Sequence, residues 1–435
     1  MPRNFLIIIS AILLSAALSF AQEGSIELVW STPMWGIRGV FVADDYLYVL
    51  NYYGLWIYGV TDKNNPIVVS SYSGVAMRDL FIYEDYAYIT SIVHGYGGEP
   101  SEDGSLIMLD VSDKTHPVLV DSVPAYSVVP GIGGSYRSVW ASNGWCYAIY
   151  DNKQGEYLQI FNTSQRKLDR VSSVEIPTYG THELMVVDNY AYVATEDDFW
   201  IIDVTDKQNP VMAIHYDWEV LWPEFFVSNN YLYFVSWREP LKIFDITDIK
   251  NPVLLSSLDI PAWEIFVSND YIYVAARDSL TVIDVSNKSQ PQQVTSTRLD
   301  TTLEWRSNFY VSGEYIYLPD INSLNIYRFR PTAVHERSSG HLPSEFSLSQ
   351  NYPNPFNSET SIRFSLKRAG PVRFAIYNLK GQLVRGLLNS EISEGEHRVI
   401  WDGKDQEGRA VPSGVYLCQL TSGEFKHTIK MILMR

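Results

Sequence analysis

The stretch Tyr190-Ala-Tyr-Val-Ala-Thr-Glu-Asp-Asp-Phe-Trp-Ile-Ile-Asp-Val-Thr-Asp-Lys-Gln-Asn-Pro210 decides the fold. It reads as a strand opened by a Tyr-x-Tyr pair, a polar turn, a second strand, and an Asp-rich turn closed by Asn-Pro, because apolar residues alternate at period two and turn residues punctuate them. The pair recurs as Tyr46-Leu-Tyr48, Tyr86-Ala-Tyr88, Trp145-Cys-Tyr147, Tyr190-Ala-Tyr192, Tyr231-Leu-Tyr233, Tyr271-Ile-Tyr273 and Tyr315-Ile-Tyr317, at spacings of 40, 59, 45, 41, 40 and 44 residues. Before each pair stands an apolar strand such as Val40-Phe-Val42, Phe225-Phe-Val227 or Ile265-Phe-Val267, joined to it by a short turn such as Asp44-Asp45, Asn229-Asn230 or Asn269-Asp270. That is a hairpin signal.

The turn after the next strand also recurs. It reads Gly59-Val-Thr-Asp62, Asp110-Val-Ser-Asp113, Asp203-Val-Thr-Asp206, Asp245-Ile-Thr-Asp248 and Asp284-Val-Ser-Asn287, and Pro66, Pro117, Pro210, Pro252 and Pro291 follow before a fourth strand. Four strands in each repeat of about 40–45 residues is the period of a β-propeller blade. The seventh copy stops at Pro331 after Leu324-Asn-Ile-Tyr327, while Ile26-Glu-Leu-Val-Trp-Ser31 precedes the first copy as an orphan strand. The N-terminal strand is therefore expected to complete the last blade. Copy three has Phe161-Asn-Thr-Ser164 in place of the Asp turn and no proline, which leaves its outer strand the least defined.

The surroundings agree with an all-β chain. Its 435 residues are 46% hydrophobic and 19% charged, with 30 Tyr and 12 Trp, a composition that buries a large core and suits strands. The net charge of −17 excludes a nucleic-acid partner, which clustered Lys and Arg would have to hold. Residues 344–435 hold 12 Lys and Arg against 9 Asp and Glu, and Arg3 is the only charge in residues 1–21, so residues 22–343 carry −21. This shift and the polar, proline-flanked stretch from Pro331 to Pro343 mark a linker. Residues 1–21, with Arg3, an apolar run from Phe5 to Leu18 and small residues before Gln22, read as a secretory signal peptide; the alternative is a membrane-anchoring helix, for which the run is short. No later stretch is long enough for a transmembrane helix in the mature chain. Cys146 and Cys418 alternate into strands as buried small hydrophobes, a bridge between them being the alternative.

The domains follow: signal peptide 1–21, a seven-bladed β-propeller over 22–331, a linker over 332–347, and a small immunoglobulin-like β-sandwich over 348–435. Within the propeller, the pattern of Tyr-x-Tyr, an Ile-Asp-Val-Thr-Asp-like turn and Asn-Pro resembles the LVIVD repeat family of β-propellers. That resemblance implies a secreted or cell-surface location and no common reaction. The C-terminal segment, with Tyr352-Pro-Asn-Pro-Phe-Asn357, Ile376-Tyr-Asn-Leu-Lys-Gly381, Trp401-Asp-Gly403 and Ser413-Gly-Val-Tyr416, resembles the sorting domain of cargo of the bacterial type IX secretion system and the immunoglobulin-like module of flagellar hook-capping proteins. This implies secretion machinery as the partner of residues 348–435, with release or surface attachment afterwards; an adhesive domain without a sorting role is the alternative. Trp401 and Tyr416 are core residues either way, and Asp402 and Asp405 are turn residues before they are a calcium site.

Ligands of propellers enter where the first strands begin. Eight residues before each first aromatic stand Arg38, Arg78, Arg137, His182, Pro223, Trp263 and Ser307, and the next position holds Gly39, Asp79, Ser138, Glu183, Glu224, Glu264 and Asn308. The rim is basic on blades one to three and acidic on four to six, with Trp35, Trp218, Trp222, Trp263 and Trp305 in the same lead-in segments. Trp35, Arg38, Arg78, Arg137, His182, Glu183, Trp222, Glu224, Trp263, Glu264 and Trp305 are accordingly the candidate site for a glycan or protein ligand, since flat rings stack on apolar sugar faces while charges fix orientation. Two other readings stand beside it. Glu183, Glu224 and Glu264, with His182 as proton carrier, could serve a carbohydrate-active hydrolase or lyase; or the tryptophans plug the channel and the charges pair between strands, leaving a purely structural surface protein. No nucleophile elbow, phosphate loop or metal triad accompanies them. No cofactor is expected, apart from a weak case for calcium at the loop from Ser91 to Ser105, whose acidic residues lack regular ligand spacing.

Overall fold

The computed structural model describes residues 24–331 and 347–433, apart from 75–76, 92–103, 126–133, 153, 179, 182, 197, 218–222, 237–238, 261, 301–302, 304–307, 349–350, 352–355, 357–359, 379, 413 and 424. All its elements are strands. Seven four-stranded antiparallel sheets succeed one another through the first 331 residues, each built from the hairpin and turn of one repeat. Their first strands (Ile37–Ala43, Met77–Tyr83, Ser135–Ser142, Glu183–Val187, Glu224–Ser228, Glu264–Ser268 and Tyr310–Ser312) touch in sequence, and the seventh touches the first, so the blades close into a ring. The seventh sheet takes its outermost strand from the N-terminus: Gly24–Pro33 runs antiparallel to Ser323–Pro331, from Gly24 opposite Pro331 to Pro33 opposite Ser323. The orphan strand of the sequence closes the propeller.

Local chemistry explains the regularity. The first residue of all seven tight turns after the first strand is left-handed: Asp44, Glu84, Asn143, Asp188, Asn229, Asn269 and Gly313 have φ between 50° and 61°. Asn, Asp and Gly tolerate this conformation best, and Glu84 is the exception. In the recurring outer turns the aspartate caps its own backbone. Oδ1 of Asp203 accepts from the Thr205 N–H at 2.8 Å and Oδ1 of Asp206 from the Gln208 N–H at 2.9 Å, with the same pattern at Asp110, Asp113, Asp245 and Asp248. In copy three Asn162 takes the aspartate's place, accepting from both the N–H and the hydroxyl of Ser164, and a full fourth strand follows at Asp169–Ile176. Its outer edge is as regular as the others, because an Asn oxygen caps this turn as well as an Asp oxygen.

The core lies in seven seams, one between each pair of neighbouring blades. The second Tyr of each pair is buried there, from Tyr317 at 0% exposure to Tyr192 at 3%, which makes the pairs packing layers. The first aromatic of each pair stays at the outer side, and in four seams a lysine from the next blade's turn lies over a Tyr of the pair, the first in three of them and the second, Tyr147, in copy three. Lys114 lies 5.7 Å from the Tyr46 ring, Lys63 5.9 Å from Tyr315, Lys207 6.0 Å from Tyr147 and Lys288 5.5 Å from Tyr231. Each ammonium also donates to a carbonyl three residues back, as Lys114 does to Val111 at 2.6 Å. Hydroxyls of Ser70, Ser172 and Ser256 fasten the same seams by donating to the carbonyls of Lys114, Lys207 and Lys288. Partial burial holds the Lys63, Lys207 and Lys288 ammonium groups below the usual lysine range.

The C-terminal unit is a sandwich of a three-stranded and a four-stranded sheet. Its core holds Trp401 and Tyr416, with ring centroids 5.0 Å apart, alongside Phe356, Phe364 and Phe374. The Trp401 indole donates to the Lys404 carbonyl and the Tyr416 hydroxyl to that of Pro412. Asp402 pairs with Arg385 of the strand Leu383–Ile392 at 2.7 Å, and Asp405 with Arg409, four residues on, at 2.9 Å. Cys146 and Cys418 are buried free thiols, one in each unit, and burial pushes both well above the usual thiol range.

Candidate functional site

One residue of every first strand lies seven positions before the second Tyr of its repeat and faces its neighbours around the ring. These are Phe41, Phe81, Trp140, Met185, Phe226, Phe266 and Tyr310, each opposite that Tyr in register. Phe41 meets Phe81 at 5.2 Å and Tyr310 at 4.7 Å; Phe81 meets Trp140 at 4.3 Å; Phe266 meets Phe226 at 5.1 Å and Tyr310 at 4.9 Å. Trp140 and Phe226 both pack in the cluster that contains Met185. The result is an aromatic collar, assembled by tilted and edge contacts. Sequence reading missed it, although an aromatic at this offset in six of seven copies is visible in the chain.

The rim residues stand two and three positions before the collar. On the basic side they are already engaged with the fold. Arg137 donates from Nη2 to Asp151 at 2.7 Å, and its Nε lies 3.1 Å from Glu156. Both carboxylates are buried, and Glu156 also accepts the N–H groups of Gly180 and Thr181 in the lead-in to blade four. Asp79 takes N–H bonds from Leu80 and from Val139 of the next blade, and the Ser138 hydroxyl at 2.8 Å. Burial pushes its carboxyl above the usual range, opposed by those bonds and by Arg78. Between blades seven and one, Gly39 bridges to Asn308 through the backbone.

Arg78 and Glu183 are half-buried, and Glu224 and Glu264 are buried at 7% and 9% exposure, all four with polar partners of their own. Glu183, Glu224 and Glu264 open the first strands of three consecutive blades. Trp263 is half-buried and donates its backbone N–H to Ala275. His182, Trp218, Trp222 and Trp305 lie outside the described residues, as do positions 92–103 of the long blade-two loop.

Blade one differs. Trp35 is 71% exposed, and Arg38 beside it is exposed too. The antiparallel order puts the turn between the second and third strands at the same end of the blade, and there Tyr53 is 69% exposed. The Tyr52 N–H donates to the Gly36 carbonyl at 3.0 Å, holding the Trp35 segment to this turn, and the Tyr52 and Tyr53 rings stand edge to face at 5.6 Å. Trp35 and Tyr53 are the most exposed large hydrophobic side chains among the described residues. Tyr53 was not foreseen; its mark in the sequence is an aromatic where a tight turn calls for a small polar residue. Among the described residues no group of three or more His, Cys, Asp or Glu could hold a metal ion, and no helix is long and apolar enough to cross a membrane.

Comparisons with known proteins agree with this architecture. The LVIVD repeat model matches residues 100–124, 180–218, 225–260 and 261–298, and the FlgD Ig-like domain model matches residues 351–424. No curated protein matches the chain. Among solved structures, the chain is similar to the Pan2 WD40 domain of Neurospora crassa at 11% identity and a TM-score of 0.53, covering 71% of this chain and 96% of that one. It also matches BamB of Moraxella catarrhalis at 13% identity and a TM-score of 0.48, covering 70% of this chain and 98% of that one. The WD40 likeness shows the propeller fold and nothing of function. The chain therefore carries LVIVD repeats in a β-propeller, followed by an immunoglobulin-like domain.

Proposed function

We propose that the protein is an exported binding protein whose propeller takes a glycan or protein ligand at the end where the first strands begin. The observation that carries this is the pair of exposed rings, Trp35 and Tyr53, with Arg38 beside them and a bonded rim behind. Exposed aromatics on a braced surface bind flat, apolar faces at little entropic cost, which favours recognition over chemistry. Residues 348–435 act as the address, directing the chain through the type IX secretion system to the cell surface or beyond, after export by the signal peptide of residues 1–21.

The full chain is to be screened against polysaccharides and peptidoglycan, recording retention and product release together. Retention without products, lost in Trp35→Ala, is the expected result. Product release abolished by Glu224→Gln would overturn it in favour of a hydrolase or lyase working with Glu183, Glu224 and Glu264. Deleting residues 348–435 should leave the protein in the periplasm, and continued appearance outside the cell would refute the sorting role.

A further inference from the structure

Copy three departs from the repeat in sequence, and its outer strands border two hollows, one of which reaches the seam with blade two. Two adjoining hollows of about 470 and 320 Å³ share Tyr150 and Arg170, and Val123 and Pro124 of blade two border the smaller. The larger falls within the size range of small-ligand clefts. Tyr136, Tyr150 and Tyr157 stand opposite one another on three consecutive strands, so their rings share the face turned toward blade two. Their centroids are 5.4 and 6.1 Å apart. Tyr136 is buried and donates its hydroxyl to Gln159 Oε1 at 3.0 Å, while Tyr150 and Tyr157 remain half-buried along the wall. At the position of Tyr150 the other copies carry Asn51, Ser91, Thr195, Ser236, Ala276 and Asp320. A large ring here is therefore no part of the packing that the repeats share.

Arg170 borders both hollows. Arg170 occupies a register position that is Val68, Leu119, Met212 and Leu254 in four other blades. It is exposed and makes no ion pair among the described residues. Among the described residues that line the two hollows Arg170 is the only charged one, in a propeller whose net charge is strongly negative. We infer that this cleft is a second binding site, distinct from the funnel end, and that its ligand is an acidic glycan. A sugar ring lies against Tyr150 and Tyr157, its carboxylate meets Arg170, and Ser173 offers its hydroxyl to those of the sugar. Ring faces beside small polar side chains suit a sugar, and a guanidinium selects the carboxylate form.

Calorimetry on the full chain with tetragalacturonate and with its methyl ester tests this, with an oligomannuronate and sialyllactose as further acidic probes. At least one acid should bind, and the neutral ester at least tenfold more weakly than tetragalacturonate if that is the acid bound. Arg170→Gln should lower acid affinity about tenfold, and Tyr150→Ala at least tenfold. Tyr150→Phe should retain binding, and Tyr157→Ala provides an independent loss should Tyr150→Ala fail to fold. Trp35→Ala should leave acid binding unchanged. Silence with all the acids, equal affinity for acid and ester, survival of binding in the Arg170→Gln, Tyr157→Ala double variant, or its loss in Trp35→Ala would each overturn the assignment.

Discussion

The seam between blades one and two and the seam between blades two and three solve one packing problem with different residues. In the first, the Lys114 ammonium covers Tyr46 and the Ser70 hydroxyl reaches the Lys114 carbonyl at 2.5 Å. In the second, Arg166 covers Tyr86 at 5.9 Å and pairs with Asp110, and Asp121, at the register position of Ser70, accepts the Leu168 N–H at 2.8 Å. A longer cation and a carboxylate hold the second seam at its outer end. The first seam is closed by repeat-conserving choices; the second keeps its attachment while Tyr150 and Arg170 line a cleft. The latch is separable from the filling, so one blade can diverge while the ring stays closed.

The comparison can be broken from the inside outward. Tyr48→Ala removes a ring buried at 1% exposure from the first seam, and the expected loss of about 3–5 kcal/mol should appear as a large drop in the urea midpoint. Asp121→Ala leaves the Leu168 N–H without its acceptor and should cost about 1–3 kcal/mol, more than Ser70→Ala, which removes a neutral donor from a carbonyl. Equal losses would mean that the two latches are interchangeable. Glu84→Asn places a residue suited to left-handed φ in the blade-two turn and should raise stability by up to about 1 kcal/mol, with no such gain from Asp44→Asn.

The smallest expected effect lies in acid. Bonds from Ser112 hold the Asp110 carboxyl below its ordinary 3.8, aided by Arg166. Its contribution is complete above that value and is lost as pH falls through the lower folded value. Asp79, across the same seam, is raised by burial, so its protonation favours the folded state as pH falls. Asp110→Asn, which keeps an acceptor as Asn162 does naturally, should lose less stability between pH 5 and pH 3 than the parent chain in urea titrations. A parallel decline would remove Asp110 from the acid response.

The parts legible in the sequence were those written within one repeat. Tyr-x-Tyr pairs, Asp-capped turns and the orphan strand at Ile26 follow from short-range periods, and they specified seven blades and their closure. What connects blades was hidden, because Lys114 and Tyr46, or Phe41 and Tyr310, meet only after docking sets which faces oppose. The same holds for the rim. Residue type marked Arg137 as a candidate and spacing placed Asp79 on the rim, yet only their partners, Asp151 and Val139, show that they fasten strands. Trp35 stood out by type and is also exposed, while Tyr53 came forward only through its place at the same end.

Gly24–Pro33 pairs with Ser323–Pro331, so the ring's first strand in sequence is the last one to find a neighbour. Six sheets can form as the chain is delivered from its N-terminus, each from contiguous residues, but the seventh waits for residue 331. A loop of some 300 residues adds only a slowly growing entropic penalty, yet it sets the order of events. Until residue 331 is in place the propeller is an open arc with a loose leading end, and it becomes a closed object only once its whole length is present.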